Sequence, residues 1–506
     1  MGDGGPLFLG IDAGNTVVKA VLFDAAGNEV AASRREGVSV IPSPGCVERD
    51  LDAFWKDVAD VIRECVGGAG ARGRAIAAVG CAGHGNGLYL VDRGGAPLLA
   101  VQSLDSRAAR LAAELDENGG GERLQAICLQ RPWPSQTPTL LAWLRRNAPD
   151  AYARAGKALL CKDYVCYRLT GCLGSDISDL SGAGMVRLPD CTYDDALLAG
   201  YGLADARALL PEIARPTDVV GGVTSSAAAA TGLLEGTPVV AGLFDVVACA
   251  LGSGACTEGD ASIIAGTWSI NQVISRRAVA DPSIFMTSCF GADRFMAIES
   301  SATSASNLEW YVRELVGPGE AESGGFAACN DRAAGIVPMA DDPFFHPYLH
   351  GSRLDARMRA GFYGVGHWHG EAHLTRAVFE GVAFEHRRHV DVLRRAGIPF
   401  NRAILSGGGA RSRLWPQMFA DILGIPIALS ACAEAGALGA AIAAGVGVGA
   451  YADFEDGVQT ATRERRRLSP NPAMARHYGD RYQTFLMLVE AMKPLWSRLD
   501  AATGSP

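Results

Sequence analysis

The segment Phe8–Asp24, FLGIDAGNTVVKAVLFD, governs how the rest of the chain is read. An apolar strand runs into Asp12, a short turn contains Gly14, and a second apolar strand ends at Asp24. Gly14 permits a tight turn, so the amides of Asn15 and Thr16 can face an anionic ligand. A carboxylate at Asp12 would repel phosphate unless a divalent cation lay between them, and Lys19 adds a positive charge near the same place. The layout predicts a Mg²⁺-phosphate site built on a hairpin. It is not a Walker loop, since no GxxxxGK[ST] occurs. Taken alone, the segment also reads as an ordinary β-hairpin with a surface Asp.

At 506 residues the chain exceeds what one core usually fills, which predicts two domains. Hydrophobic residues make up 48% and charged residues 20%, the profile of a globular protein with ample core material. A formal net charge of −9 argues against a nucleic-acid or anionic-membrane partner. Thirteen cysteines, scattered from Cys46 to Cys432 without a CxxC pair, read as reduced thiols serving as small apolar residues. The opening MGDGGPLFLGIDAG lacks the basic region and long apolar core of a signal peptide. The Gly/Ala-rich run 435–450 is shorter than the ~20 residues that span a bilayer, and reads instead as a closely packed interior helix. The expectation is a cytoplasmic protein without a membrane segment.

Residues 7–35 read as strands, with Ala25–Asn28 turning the second hairpin. Phe54, Trp55, Val58, Ile62 and Cys65 recur at helical spacing after an acidic start, so a helix follows. Ile76–Gly80 is a short buried strand leading into the Gly-rich loop Gly83–Gly87, and helical patterns dominate 108–168. The second half repeats this order. Pro238–Leu243 is a buried strand followed by Asp245, Ala261–Ala265 is a strand entering Gly266–Ser269, and helices dominate 374–395, 414–423 and 434–446. Two halves that each begin with a strand–turn–strand unit suggest duplicated α/β domains, residues 1–241 and 242–506, with a cleft between them.

Four polar turns each follow an apolar strand: Asp12–Thr16, Gly83–Gly87, Gly266–Ser269 (GTWS) and Ser406–Ser412 (SGGGARS). The triple glycine Gly407, Gly408 and Gly409 lets a flat nucleotide approach the backbone, and Ser412 is expected to open a helix whose amides can bind. A surface turn is the alternative for this segment alone. Asp245 ends an apolar strand with Leu243, Phe244, Val246 and Val247 around it. Such a carboxylate is partly desolvated and suited to deprotonating a hydroxyl; a helix N-cap is a compatible second role.

At this point the chain resembles the FGGY family of carbohydrate kinases, within the actin-like ATPase superfamily. Ser135–Asn147 (SQTPTLLAWLRRN) fits the first family signature except that Leu140 stands for the usual Lys, and Ala360–Glu380 (AGFYGVGHWHGEAHLTRAVFE) fits the second throughout. The resemblance spans roughly residues 7–490. Gly242–Val247 (GLFDVV), Gly266–Trp268, Ser306–Trp310 and Ala360–Gly364, together with Leu140, place the likeness nearest the L-xylulose/3-keto-L-gulonate kinase branch.

The resemblance implies two actin-like, ribonuclease H-like α/β domains and the transfer of the ATP γ-phosphate to a ketose hydroxyl. It implies Asp12 and Asp245 at Mg²⁺, and Asn15, Thr16 and Lys19 at the phosphates. Gly266 and Thr267 match the second phosphate loop, Gly407–Gly409 and Ser412 the adenosine stretch, and Asp245 the general base. Where xylulose kinases carry GQMHG, this chain has Gly83-His84-Gly85-Asn86-Gly87, which implies a roomier pocket at Gly85 and different donors at His84 and Asn86. Asp105 matches a carboxylate near the sugar, with Ser103 in place of an aromatic. L-xylulose or 3-keto-L-gulonate is the first substrate expectation; D-xylulose, erythritol and glycerol are the alternatives, and a nucleotide-gated actin-like binding module is the reading from another class. A homodimer rests on the resemblance alone. His367, His369 and His373 form HxHx₃H, read as ordinary histidines rather than a zinc site, and Arg463–Arg467 reads as a solvated helix face or loop.

Overall fold

The structure, a computed structural model, describes residues 5–70, 76–291, 293–317, 325–352 and 355–503, with side chains through residue 499. Contacts divide the chain into two units. The first comprises Met1–Glu258, Ile274–Ala297 and Glu434–Arg463; the second comprises Gly259–Val273, Ile298–Ala433 and Glu464–Pro506.

In the first unit, strand β1 (Leu7–Ala13) is apolar and buried along nearly its whole length. It pairs antiparallel with β2 (Val17–Asp24), a register that sets Asp12 opposite Lys19. The Asp24 side chain accepts from Ala26 N at 3.0 Å and Asn28 N at 2.9 Å, closing the expected turn into β3 (Glu29–Glu36). On its other side β1 lies parallel to β4 (Ile76–Gly83), and the sheet continues through Pro238–Val240 to Val219–Gly222. The short strand Leu243–Phe244 pairs with the end of β4, Leu243 beside Ala82 and Phe244 beside Gly83. Helix α1 (Leu51–Gly68), capped by Asp50, buries Phe54, Val58, Ile62 and Cys65.

The Gly/Ala-rich segment is the interior helix Ala435–Gly447. Its close approach to the sheet depends on missing side chains. A Cβ on Gly10 of β1 would lie 1.8 Å from the Ala437 carbonyl oxygen, and one on Gly80 of β4 would lie 1.9 Å from that of Ala440. Gly439 abuts the Ala248 carbonyl of helix Asp245–Ser253 in the same way, at 2.0 Å. Backbone against backbone, this helix reaches the strand that carries Asp12 and the helix that starts with Asp245.

The sheet of the second unit runs through Ser269–Ser275, Ala261–Ala265, Ala403–Ser406, Ile427–Ser430 and Glu464–Leu468. The long helices Glu371–Arg395 and Pro472–Thr503 are joined by buried charge: Glu380 accepts from Arg376 and Arg481, each at 3.0 Å.

Two expectations are corrected. The arginine run is neither helix nor loop: Glu464–Leu468 is a strand antiparallel to Ile427–Ser430, with its arginines exposed. The thiols are not all reduced, because Cys191 and Cys289 form a disulfide within the first unit; the other eleven remain thiols and are mostly buried. Among the described residues, no helix is long and apolar enough to cross a membrane.

Candidate active site

Asp12 stands at the end of β1, against the start of helix Ala435–Gly447. A Cβ on Gly436 would sit 2.7 Å from Asp12 Oδ2, so glycine is what leaves room for this carboxylate. Burial raises the proton affinity of Asp12; Lys19 opposes this, and Glu434 adds to it. Lys19 Nζ donates to Glu434 Oε2 at 2.6 Å. Burial pulls the Lys19 pKa down, but Asp12 and the Glu434 contact outweigh it, and the ammonium form is favoured.

Asp245 is the first residue of helix Asp245–Ser253, directly after the two-residue strand that borders Gly83. It therefore begins a helix rather than ending a long strand. Its pKa is raised from 3.8 to about 8, chiefly by burial and then by the negative charge of Asp12, with the Val246 amide opposing. Two carboxylates in each other's field, both short of solvent, fit a divalent cation: binding one would remove the repulsion that now favours protons. Such a carboxyl also lies in the range where it can take up a proton near neutral pH.

The turn after Asp12 is held from below. Gly14 N closes it on Val17 O at 3.0 Å, and Arg49 Nη2 donates to the carbonyls of Gly14 (3.0 Å) and Asn15 (2.6 Å). Asn15 Nδ2 donates to Ser103 Oγ at 2.8 Å, and Gln102 Nε2 donates to Asn15 O at 3.1 Å. The Asn15 side chain thus ties this turn to the segment carrying Asp105, while Thr16 is exposed. Sequence reasoning missed Arg49, Gln102 and Glu434, none of which lies in a Gly-rich turn.

His84 is buried and paired with Tyr89 Oη at 2.8 Å; burial, then Arg49, push its pKa down to about 3, so it is neutral. Asn86 holds a left-handed φ of 61° and reaches Gly182 O at 3.5 Å, while its buried Oδ1 has no partner. Gly85 does not enlarge a pocket, contrary to the sequence expectation. A Cβ there would lie 2.3 Å from the Phe244 ring, which fills the space. Asp105 is buried with both oxygens engaged, accepting from Val47 N at 2.6 Å and from Arg107 N at 2.8 Å. In this arrangement it braces its own loop.

Behind the Gly83–Gly87 loop lies a cluster that no motif announced. Lys162 Nζ is 2.5 Å from Asp163, 2.9 Å from Asp176 and 3.9 Å from Asp179, and all four side chains are fully buried. One cation among three carboxylates leaves excess negative charge, and burial raises the proton affinity of Asp176 and Asp179. Leu140, in place of the usual signature Lys, is buried in the core.

In the second unit, the Gly266 carbonyl accepts from Ala305 N at 2.8 Å and the Thr267 carbonyl from Ser306 Oγ at 3.1 Å. Gly407 has a φ of 82°, which favours glycine, and a Cβ on Gly408 would meet nothing within 4 Å. Ser412 does not itself start a helix: its Oγ accepts from Leu414 N at 3.2 Å and Trp415 N at 2.9 Å, just ahead of the helix Trp415–Leu423. A cavity of about 360 Å³, lined by Leu308, Glu309, Phe326, Gly408, Ser412 and Trp415, opens beside this turn. Its volume, apolar walls and few polar groups fit a nucleoside.

His369 and His373 accept through Nδ1 from Gly366 N and Gly370 N, at 2.9 and 3.2 Å. Among the described residues, no three His, Cys, Asp or Glu are placed to hold a metal ion.

Comparison with known proteins adds independent findings. Residues 7–252 match the pattern of the FGGY family of carbohydrate kinases, N-terminal domain, and residues 261–448 that of its C-terminal domain. The chain is 33% identical over 500 residues to the L-xylulose/3-keto-L-gulonate kinase of Escherichia coli K12, covering 98% of this chain and 99% of that one. It is 34% identical over 492 residues to the probable L-xylulose kinase of Pasteurella multocida, covering 96% and 99%. The crystal structure of xylulose kinase from Rhodospirillum rubrum superposes with a TM-score of 0.88 at 28% identity, covering 97% of this chain and 100% of that one.

Proposed function

The chain belongs to the FGGY family of carbohydrate kinases, and on that premise we propose that it phosphorylates a terminal hydroxyl of an open-chain ketose of L-xylulose or 3-keto-L-gulonate type. The observation that carries this reading is Asp245: half-buried, in the field of Asp12, with a carboxyl pushed up to about 8. Asp245 accepts the proton of the attacking hydroxyl and orients its oxygen in line with the phosphoryl group.

Asp12, with Asp245, would hold Mg²⁺, and the amides of Asn15 and Thr16 with the Lys19 ammonium would meet phosphate oxygens. Gly266 and Thr267 form the matching phosphate loop of the second unit, and the cavity beside Gly407–Gly409 and Ser412 in that unit takes adenosine. When bound, Mg²⁺-ATP supplies the transferable phosphoryl group and neutralises its developing charge. His84, Gly85 and Asn86 line the sugar side, where neutral His84 stays locked to Tyr89 and Asn86 offers an unpaired acceptor. Asp105 shapes this side through its loop rather than through a free oxygen. The working division is residues 1–241 for sugar and 242–506 for nucleotide, in a cytoplasmic enzyme. Sedimentation velocity tests the accompanying homodimer proposal.

The purified protein with Mg²⁺-ATP, assayed for ADP release against pentuloses, keto-acids and polyols, tests the reading. Release dependent on a ketose, with a phosphorylated product by mass, is the expected result. Sugar-independent hydrolysis with no phosphorylated acceptor overturns it and favours a nucleotide-gated binding module.

A further inference from the structure

Phe244, next to the proposed base, occupies a slot cut by two glycines. A Cβ on Gly85 would lie 2.3 to 2.8 Å from its Cε2, Cδ2 and Cζ, and one on Gly182 would lie 2.8 and 2.9 Å from Cδ1 and Cε1. The ring is gripped from both sides by backbone and is 5% exposed. Its own backbone is pinned too: Phe244 N donates to Ser178 Oγ at 3.0 Å, and the residue pairs with Gly83 at the end of β4. One side of the slot continues into Asn86, whose Nδ2 reaches the Gly182 carbonyl and whose buried Oδ1 is left without a donor.

We propose that Phe244 is a specificity-determining residue, its ring setting the separation between the Asn86 acceptor and the Asp245 carboxylate and so selecting which polyhydroxy ketose fits. The inference rests on the function proposed above and deepens it. An open-chain ketose would donate one hydroxyl to Asn86 Oδ1 while another reacts at Asp245, so the ring acts as a fixed spacer between two contact points. It also explains Gly85. Any side chain there meets the ring, so the residues at 85 and 244 exclude each other in size, and the Met of the GQMHG pattern is incompatible with Phe244. Phe244 acts through Asn86 and Asp245; the proton transfer remains with Asp245.

A double-variant cycle tests this: Gly85→Met, Phe244→Ala, and the two combined. The melting temperature, read without any substrate, reports the coupling. The Gly85→Met loss shrinks when Phe244→Ala is also present, whereas additive losses overturn the shared slot. The kcat/KM ratio for L-xylulose against D-xylulose reports specificity. Each single variant loses at least about tenfold on the preferred ketose, and the double variant shifts the ratio by about fivefold or more. A folded double variant with the wild-type ratio overturns the proposal. Should Gly85→Met fail to fold, Gly85→Ala with Phe244→Leu runs the same cycle. A wild-type enzyme inactive on every ketose defeats the functional reading, while the melting cycle still decides the coupling.

Discussion

Replacing Asp245 by Asn removes the proposed base and, with it, a desolvated ionisable group. For catalysis, a positioned general base contributes about 10²–10⁴-fold, so kcat falls by that factor, or roughly 3–5 kcal/mol of barrier. Mg²⁺-ATP affinity changes far less. For stability the direction is opposite. The folded carboxyl titrates near 8 and the unfolded one near 3.8. Between these values the unfolded chain has released a proton that the folded one keeps, so stability is full below the unfolded value and lost as pH rises through the folded one. At about 1.36 kcal/mol per tenfold, the full difference corresponds to roughly 5–6 kcal/mol. Because Asp245 is only half-buried and water relaxes around it, about 2 kcal/mol is the working figure. Asp245→Asn therefore melts higher than the wild type by about 2–3 °C at pH 8, and the gap closes toward pH 4. Differential scanning fluorimetry across pH, with isothermal titration of Mg²⁺-ATP and a coupled ADP assay, measures all three. A kcat within tenfold of wild type would refute the base assignment, and a pH-independent melting gap would refute the burial argument.

Three further outcomes follow from particular contacts. Gly10→Ala or Gly80→Ala drives a Cβ to within 1.8 or 1.9 Å of a helix carbonyl, costing about 3 kcal/mol or more, which urea unfolding will show; a loss below 1 kcal/mol contradicts the packing. Lys19→Met, removing the ammonium paired with Glu434 at 2.6 Å, raises the KM for ATP by about tenfold with little change in ketose KM; equal effects on both place Lys19 elsewhere. Ser412→Ala removes the hydrogen bond to Trp415 N at the start of Trp415–Leu423, lowering stability by about 1 kcal/mol and weakening nucleotide binding measured by titration; unchanged nucleotide binding separates this bond from the adenosine cavity.

Legibility followed from locality. Asp12, its turn and the hairpin to Asp24 were readable because strand, turn and strand are written within seventeen residues. The Gly/Ala run announced a packed helix because only small side chains allow backbone contact, and Gly10 and Gly80 bear that out. Gly85 misled, since a missing side chain looks like empty space until a distant ring is seen to fill it. Ser412 lies three positions ahead of the helix, where its hydroxyl accepts from the first helical amide without belonging to the helix. The arginine run carried no apolar period, so its pairing as an edge strand was invisible.

By itself, the sequence determined the α/β class, the Asp12 hairpin, the Gly-rich turns and the carboxylate at 245, all encoded in neighbouring residues and their periods. The tertiary structure alone decided what those groups can do. The raised proton affinity of Asp245 comes from burial and from Asp12, more than two hundred positions away. Arg49 under the Asp12–Thr16 turn, Glu434 on Lys19, the buried Lys162 cluster and Phe244 in its glycine slot are likewise products of contact between distant segments. Charge, proton affinity and shape depend on neighbours in space, and the chain order does not state who those neighbours are.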